Sequence, residues 1–174
     1  GYDSTNDVVA VAFTNHNNDV KSVGCKVAAG TGAAITQGTA TDLTTAGNKP
    51  NIKWHSNSGS WITAVAHNNT SLRVQAHTIN SGTLAITSGT AINNTTQGYP
   101  AYMVDICISN QHLIYFNYIN ASKKLYSLSA TVSGTTLTLN TSDITEQLTD
   151  HSGGMEKVAA EFMAHNDKIV MFAT

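Results

Sequence analysis

The chain has 174 residues, of which 41% are hydrophobic and 11% charged, with a formal net charge of −2. An ordinary apolar fraction with so little net charge excludes a disordered chain, and the lack of clustered Lys and Arg argues against nucleic acid. No apolar run approaches the ~20 residues of a membrane-spanning helix, and no signal-peptide pattern opens the sequence.

Residues 8–13, Val-Val-Ala-Val-Ala-Phe, form the first strongly apolar run. Its length and polar flanks predict a buried strand rather than a helix. Val20 to Val27 begins and ends on an aliphatic residue and predicts another strand, followed by the turn Gly30-Thr31-Gly32 and a strand over 34–40. Pro50 then heads a strand over 52–56, a position where its missing N–H does least harm. The turn 57–60 leads to a buried strand over 61–67, and strands over 72–79 and 85–91 complete this unit. Pro100 heads the same succession at 102–106, 113–118, 125–132 and 136–143. Residues 158–162 and 169–172 begin it once more. Met155 to Glu161 has some helical propensity, but the alignment with the earlier units assigns strand there.

The succession is a repeat. Residues 85–91 read Ala-Ile-Thr-Ser-Gly-Thr-Ala and residues 34–40 read Ala-Ile-Thr-Gln-Gly-Thr-Ala, six of seven identical at an offset of 51. The third copy is degenerate, with Ser142 in place of the glycine. Phe13, His67, Tyr118 and Thr174 align as the ends of the second strands, spaced 54, 51 and 56. The units are approximately 1–46 (first strand truncated), 47–95, 96–148 and 149–174 (partial) of a single repeat array. Four antiparallel strands per ~50 residues in tandem predict an all-β fold, a β-propeller of four-stranded blades. The units are cut at different points at the two ends, which predicts a slice of a longer array that does not stand alone as a monomer.

The two cysteines, Cys25 and Cys107, lack metal-ligand spacing and read as small buried hydrophobes. The seven histidines sit mostly beside Asn in turns, and none has a metal-ligand pattern. Neither metal nor cofactor is expected. Asp105 and Glu161 interrupt apolar first strands at comparable places, either as edge-blunting charges or lining a central channel. Trp54 and Trp61 flank one hairpin turn. They would make a platform for sugar rings or pack between blades, the latter being the plainer reading. Asn-rich loops around Asn17, around His67, Asn68 and Asn69, and around Asn120 occupy equivalent places in the repeat and would share one rim. Short amides there would hydrogen-bond a glycan, or simply form turns.

The succession from Pro50 to Ala91, and again from Pro100 to Asp143, resembles the tandem ~50-residue β repeats of phage and other virus-associated tail or fibre proteins and of some bacterial surface proteins. The resemblance implies a non-enzymatic structural or receptor-binding component of a virion, with other virion or fibre subunits and a host-surface glycan as partners. The alternatives are a secreted or cell-surface lectin-like propeller and a propeller glycosidase. The second of these lacks the Ser-x-Asp-x-Gly-x-Thr-Trp box of sialidases. No functional residue is carried over.

Overall fold

The structure, a computed structural model, describes residues 1–27, 34–68, 70–96, 100–148 and 157–174. All regular structure among them is strand, and the strands pair antiparallel. Sheet 1 holds β1 (Tyr2–Asp3), β2 (Val8–Thr14) and β3 (Val20–Val27), with β4 (Ile35–Gln37) and β5 (Thr41–Thr44) both paired to β3. Sheet 2 holds β6 (Gly47–His55), β7 (Ser60–His67) and β8 (Ser71–Ile79), with β9 (Ile86–Ser88) and β10 (Ile92–Asn94) both paired to β8. Sheet 3 is β11 (Pro100–Ile108), β12 (Ile114–Asn120), β13 (Leu125–Ser133) and β14 (Thr136–Leu148). Sheet 4 pairs β15 (Val158–Met163) with β16 (Lys168–Ala173). The strand expected over residues 158–162 is therefore present. The turn at Gly30, the start of the Met155 segment and His151 lie outside the described residues.

Each sheet is a meander stacked on the next, so the middle sheets are buried on both faces. That is why their second strands read as unbroken apolar runs. A sheet's leading face is taken here as the one toward the preceding sheet, and its trailing face as the one toward the following sheet. Ile62, Ala64, Leu72, Val74 and Ala76 on the trailing face of sheet 2 pack on Val104, Ile106, Ile114, Phe116, Tyr118, Leu128 and Ala130 of sheet 3. Burying side chains of this size contributes roughly 1.5–3 kcal/mol each. The seam between sheets 1 and 2 is smaller. Val8, Ala10, Trp61 and Leu84 form one cluster there, and Val20, Leu43 and Val65 another.

The expected fourth strands are broken where the repeat reads Gly-Thr-Ala. Between the pairs Cys25–Gln37 and Ser22–Thr41, residues 38–40 oppose only 23–24. Between His77–Ser88 and Val74–Ile92, residues 89–91 oppose only 75–76. Such bulges turn the strand and leave room at its outer surface. The following sheet fills that room. A Cβ added to Gly38 would stand 2.6 Å from the Leu84 carbonyl oxygen, and one added to Gly89 would stand 1.9 Å from that of Thr135. Leu84 and Thr135 both belong to the outer hairpin of the next sheet, so each bulge seats its neighbour's turn on a residue without a side chain. In sheet 3, Asn140 rather than Ser142 takes the glycine's place, because it pairs with Ser129 before residues 141–144 loop out.

Two further registers differ from those expected. Thr14 pairs with Val20, Ala66 with Leu72 and Ile119 with Leu125. Val65 rather than His67 therefore matches Phe13 and Tyr118, while His67 matches Asn15 and Asn120. A two-residue slip keeps every side chain on its proper face, so alternation in the sequence does not reveal it. Pro50 lies inside β6 rather than at its head, beside a register irregularity with Lys49 at φ 52°. The bulge removes the need for a proline N–H.

The first strands lie along one edge, where β6 packs on β11 and β11 on β15. Asp105 ties them together. It accepts from Asn51 Nδ2 at 2.8 Å and from the Ala160 N–H at 2.7 Å, joining sheets 2, 3 and 4. Cross-strand pairing matches Asp105 with Asn51, and Glu161 with Lys53 and Cys107. The two acids are thus not at comparable places. Glu161 instead meets Lys53 at 3.6 Å, past the intervening sheet.

Candidate functional site

The residues proposed from sequence fall into two groups. Trp61 is 1% exposed within the seam between sheets 1 and 2. Trp54 packs against it with ring centroids 4.8 Å apart. The pair is a cross-strand aromatic contact in which Trp61 is buried and Trp54 half-buried.

The rim residues do come together in part. The Gly47 N–H donates to the Asn18 carbonyl and the Asn68 N–H to that of Ala46, both at 2.9 Å, so the loops of sheets 1 and 2 share the linker between β5 and β6. A shallow cavity of about 310 Å³ lies there, lined by Asn18, Ala46, Gly47, Asn48 and Asn68. The His67 ring shares hydrogen bonds with Thr44 Oγ1 at 2.8 Å and with the Asn68 amide at 3.1 Å. Burial, aided by Arg73, lowers its pKa. Asn17 is exposed beside Asn15, whose Oδ1 accepts its N–H. Asn120 is spent on its own loop, its Oδ1 accepting from the N–H groups of Ser122 and Lys124. Asn69 lies outside the described residues.

A larger concavity was not anticipated from the sequence. It lies between the trailing face of sheet 3 and the leading face of sheet 4 and holds about 440 Å³. Tyr115, Ser127, Ser129, Asn140 and Asp143 line one wall, and Phe162, Ile169 and Met171 the other. On the trailing face of sheet 2, the positions matching Tyr115, Asn117, Ser127 and Ser129 are Ile62, Ala64, Val74 and Ala76. Aliphatic contacts that seal one seam have become hydroxyls and an amide in the next. The two serines and the amide are internally satisfied. Ser127 Oγ donates to Asn117 Oδ1 at 2.7 Å, and Asn117 Nδ2 reaches Cys107 Sγ at 3.6 Å. Asp143 accepts from Ser129 Oγ at 3.3 Å and from Asn140 Nδ2 at 2.5 Å. Aligning the copies position by position in their true registers is the signal that exposes this substitution of polar for apolar.

Burial pushes the Cys107 thiol up to about 11, which keeps it protonated and a poor nucleophile. Burial likewise raises the Tyr115 phenol, so its O–H is a donor at neutral pH. Among the described residues, no three His, Cys, Asp or Glu side chains are placed to hold a metal ion. Comparison of the chain with family models, with curated proteins and with solved structures finds no match.

Proposed function

We propose that the sheets are blades of a β-propeller and that the chain is a non-enzymatic, glycan-binding structural component of a virion tail or fibre. Converging first strands support the propeller: Lys53 reaches Glu161 past sheet 3, as blades fanned about one axis require. The binding reading is carried by one observation, the exchange of Ile62, Val74 and Ala76 for Tyr115, Ser127 and Ser129 around an open groove. Neutral hydroxyls and amides with one carboxylate, facing Phe162 across the gap, match a sugar, which offers hydroxyls on its edges and C–H groups on its faces. The virion assignment rests on the resemblance of the repeat and on the low charge of the chain.

A glycan array probed with the chain tests the binding reading. Ser129→Val and Asp143→Ala are expected to weaken the bound glycan at least tenfold, as loss of a hydrogen-bonded partner implies, while Asn68→Ala on the rim leaves it unchanged. Binding lost only with Asn68→Ala would move the site to the rim, and no glycan bound at all would overturn the reading. Antibody labelling of particles tests the virion assignment, and a freely secreted protein would favour the lectin alternative.

A further inference from the structure

We infer that the rim of the seam between sheets 1 and 2 holds a binding site for a ligand bearing a carboxylate, built on Arg73 and Asn93. The repeat states what this position ordinarily meets. Lys21, Arg73 and Tyr126 match one another, as the cross-strand partners of Phe13, Val65 and Tyr118. In sheet 1 the strand on the other side sets Asp42 opposite Lys21, and the two form an ion pair. In sheet 3 it sets Glu146 opposite Tyr126, whose phenol donates to Glu146 Oε2 at 3.0 Å. In sheet 2 the residue opposite Arg73 is Asn93. The carboxylate of the neighbouring sheets is thus missing beside the single arginine of the chain.

Arg73 carries the marks of that loss. Its side chain is half-buried and has neither ion pair nor hydrogen bond among the described residues, and its Nε is buried without an acceptor. Val65 beside it is buried with Val20 and Leu43, so the stem of the arginine lies on apolar ground. Burial lowers the Arg73 pKa, and the charge of Arg73 helps to lower that of His67. A cation partly withdrawn from water gains most from an anion brought to it, and the planar guanidinium fork fits the two oxygens of a carboxylate. Asn93 is exposed opposite Arg73, and its amide adds a neutral donor. Sheets 1 and 3 flank sheet 2 within the chain, so the missing partner is a matter of residue 93 and not of an absent neighbour. The site is distinct from the groove between sheets 3 and 4 and does not depend on the glycan reading above.

Calorimetric titration and thermal melts of the chain with acetate and with glucuronate, at an ionic strength held constant with chloride, are the test. Both carboxylates are expected to bind and to raise the melting temperature. Arg73→Gln is expected to weaken them by roughly tenfold or more, as loss of a charged hydrogen-bond donor implies. Asn93→Asp, at an exposed position, restores the acid found in sheets 1 and 3. It is expected to melt higher than the wild type without ligand and to bind neither carboxylate, because the new side chain occupies the site. Glucuronate binding more tightly than acetate would point to a sugar acid as the source of the group, and equal binding to the carboxylate alone; either supports the site. A wild-type chain that binds neither overturns the proposal. So does sulfate binding as tightly as acetate, which would make Arg73 an unselective anion contact, or an Asn93→Asp chain that binds acetate as the wild type does.

Discussion

The seam between sheets 1 and 2 and the seam between sheets 2 and 3 have one geometry and two chemistries. In the second, Phe116, Leu128 and Ala130 fill the leading face of sheet 3 with apolar volume. At the matching positions of sheet 2 stand Thr63, Gln75 and His77. Thr63 Oγ1 donates to the Gln75 carbonyl at 3.2 Å and lies 2.7 Å from His77 Nε2, while His77 Nδ1 lies 2.9 Å from Ser88 Oγ. A neutral ring protonated at Nε2 satisfies this set, donating to Thr63 and accepting from Ser88. The backbone repeat therefore fixes where a neighbour sits, and the side chains are free to fill the gap with hydrocarbon or with hydrogen-bonded polar groups.

The apolar seam gives the largest expected effect. Phe116→Ala removes a fully buried ring and should cost about 4 kcal/mol. Thr63→Ala, at the matching place, loses one hydroxyl and should cost about 1 kcal/mol. Urea unfolding of both variants checks the contrast, and equal costs would mean that the two seams are not built as differently as their side chains imply.

The polar seam predicts a pH dependence that the apolar one cannot have. Burial lowers the His77 pKa from 6.5 to about 4. The unfolded chain then binds more protons between these values, so the stability due to neutral His77 is complete above pH 6.5 and is lost as the pH falls toward 4, by roughly 3 kcal/mol. Thermal melts across that window should show the loss, and His77→Ala, which copies Ala130 of sheet 3, should flatten this part of the profile. An unaltered slope in His77→Ala would place the titration elsewhere.

Much of this architecture was readable in the sequence because it is local. The second strands announce themselves through β-branched runs, β3 occupies the expected Val20–Val27, and the repeated glycine marks a tight place. What could not be read is contact between units. Nothing within Gly38-Thr39-Ala40 states that the strand breaks there, because the cause is Leu84, far along the chain on the next sheet. Alternation alone leaves His67 two residues out of register, because parity is preserved by such a slip. The groove beside Ser129 stayed hidden for the same reason, since hydroxyls in a Ser/Thr-rich chain look like surface until true registers set them against Val74 and Ala76.

The bulge glycines rank next. Both seams use one, but with different clearance, 2.6 Å at Gly38 and 1.9 Å at Gly89 for an added Cβ against a backbone oxygen. A carbonyl held in a hairpin cannot swing aside as a side-chain tip can. Gly89→Ala should therefore cost about 3 kcal/mol and Gly38→Ala about 1 kcal/mol, the upper and lower ends of overpacking. Thermal melts rank the pair, and the reverse order would show that the looser seam is the more rigid one.

The smallest effect belongs to the inner edge, where charge rather than packing links the sheets. Lys53 and Glu161 meet at 3.6 Å with side chains 37% and 77% exposed. Water screens such a pair, and holding two long side chains in one geometry costs much of the gain. Asp105 does the comparable joining without those costs. It is short and half-buried, and one of its partners is a backbone N–H. Lys53→Ala should accordingly change stability by less than about 0.5 kcal/mol, and the change should vanish in high salt. Asp105→Ala, which strips the Ala160 N–H and the Asn51 amide of their acceptor, should cost about 2 kcal/mol and be insensitive to salt. A larger loss from Lys53→Ala than from Asp105→Ala would reverse the order of the two links, making the ion pair rather than the Asp105 carboxylate the element that holds the first strands together.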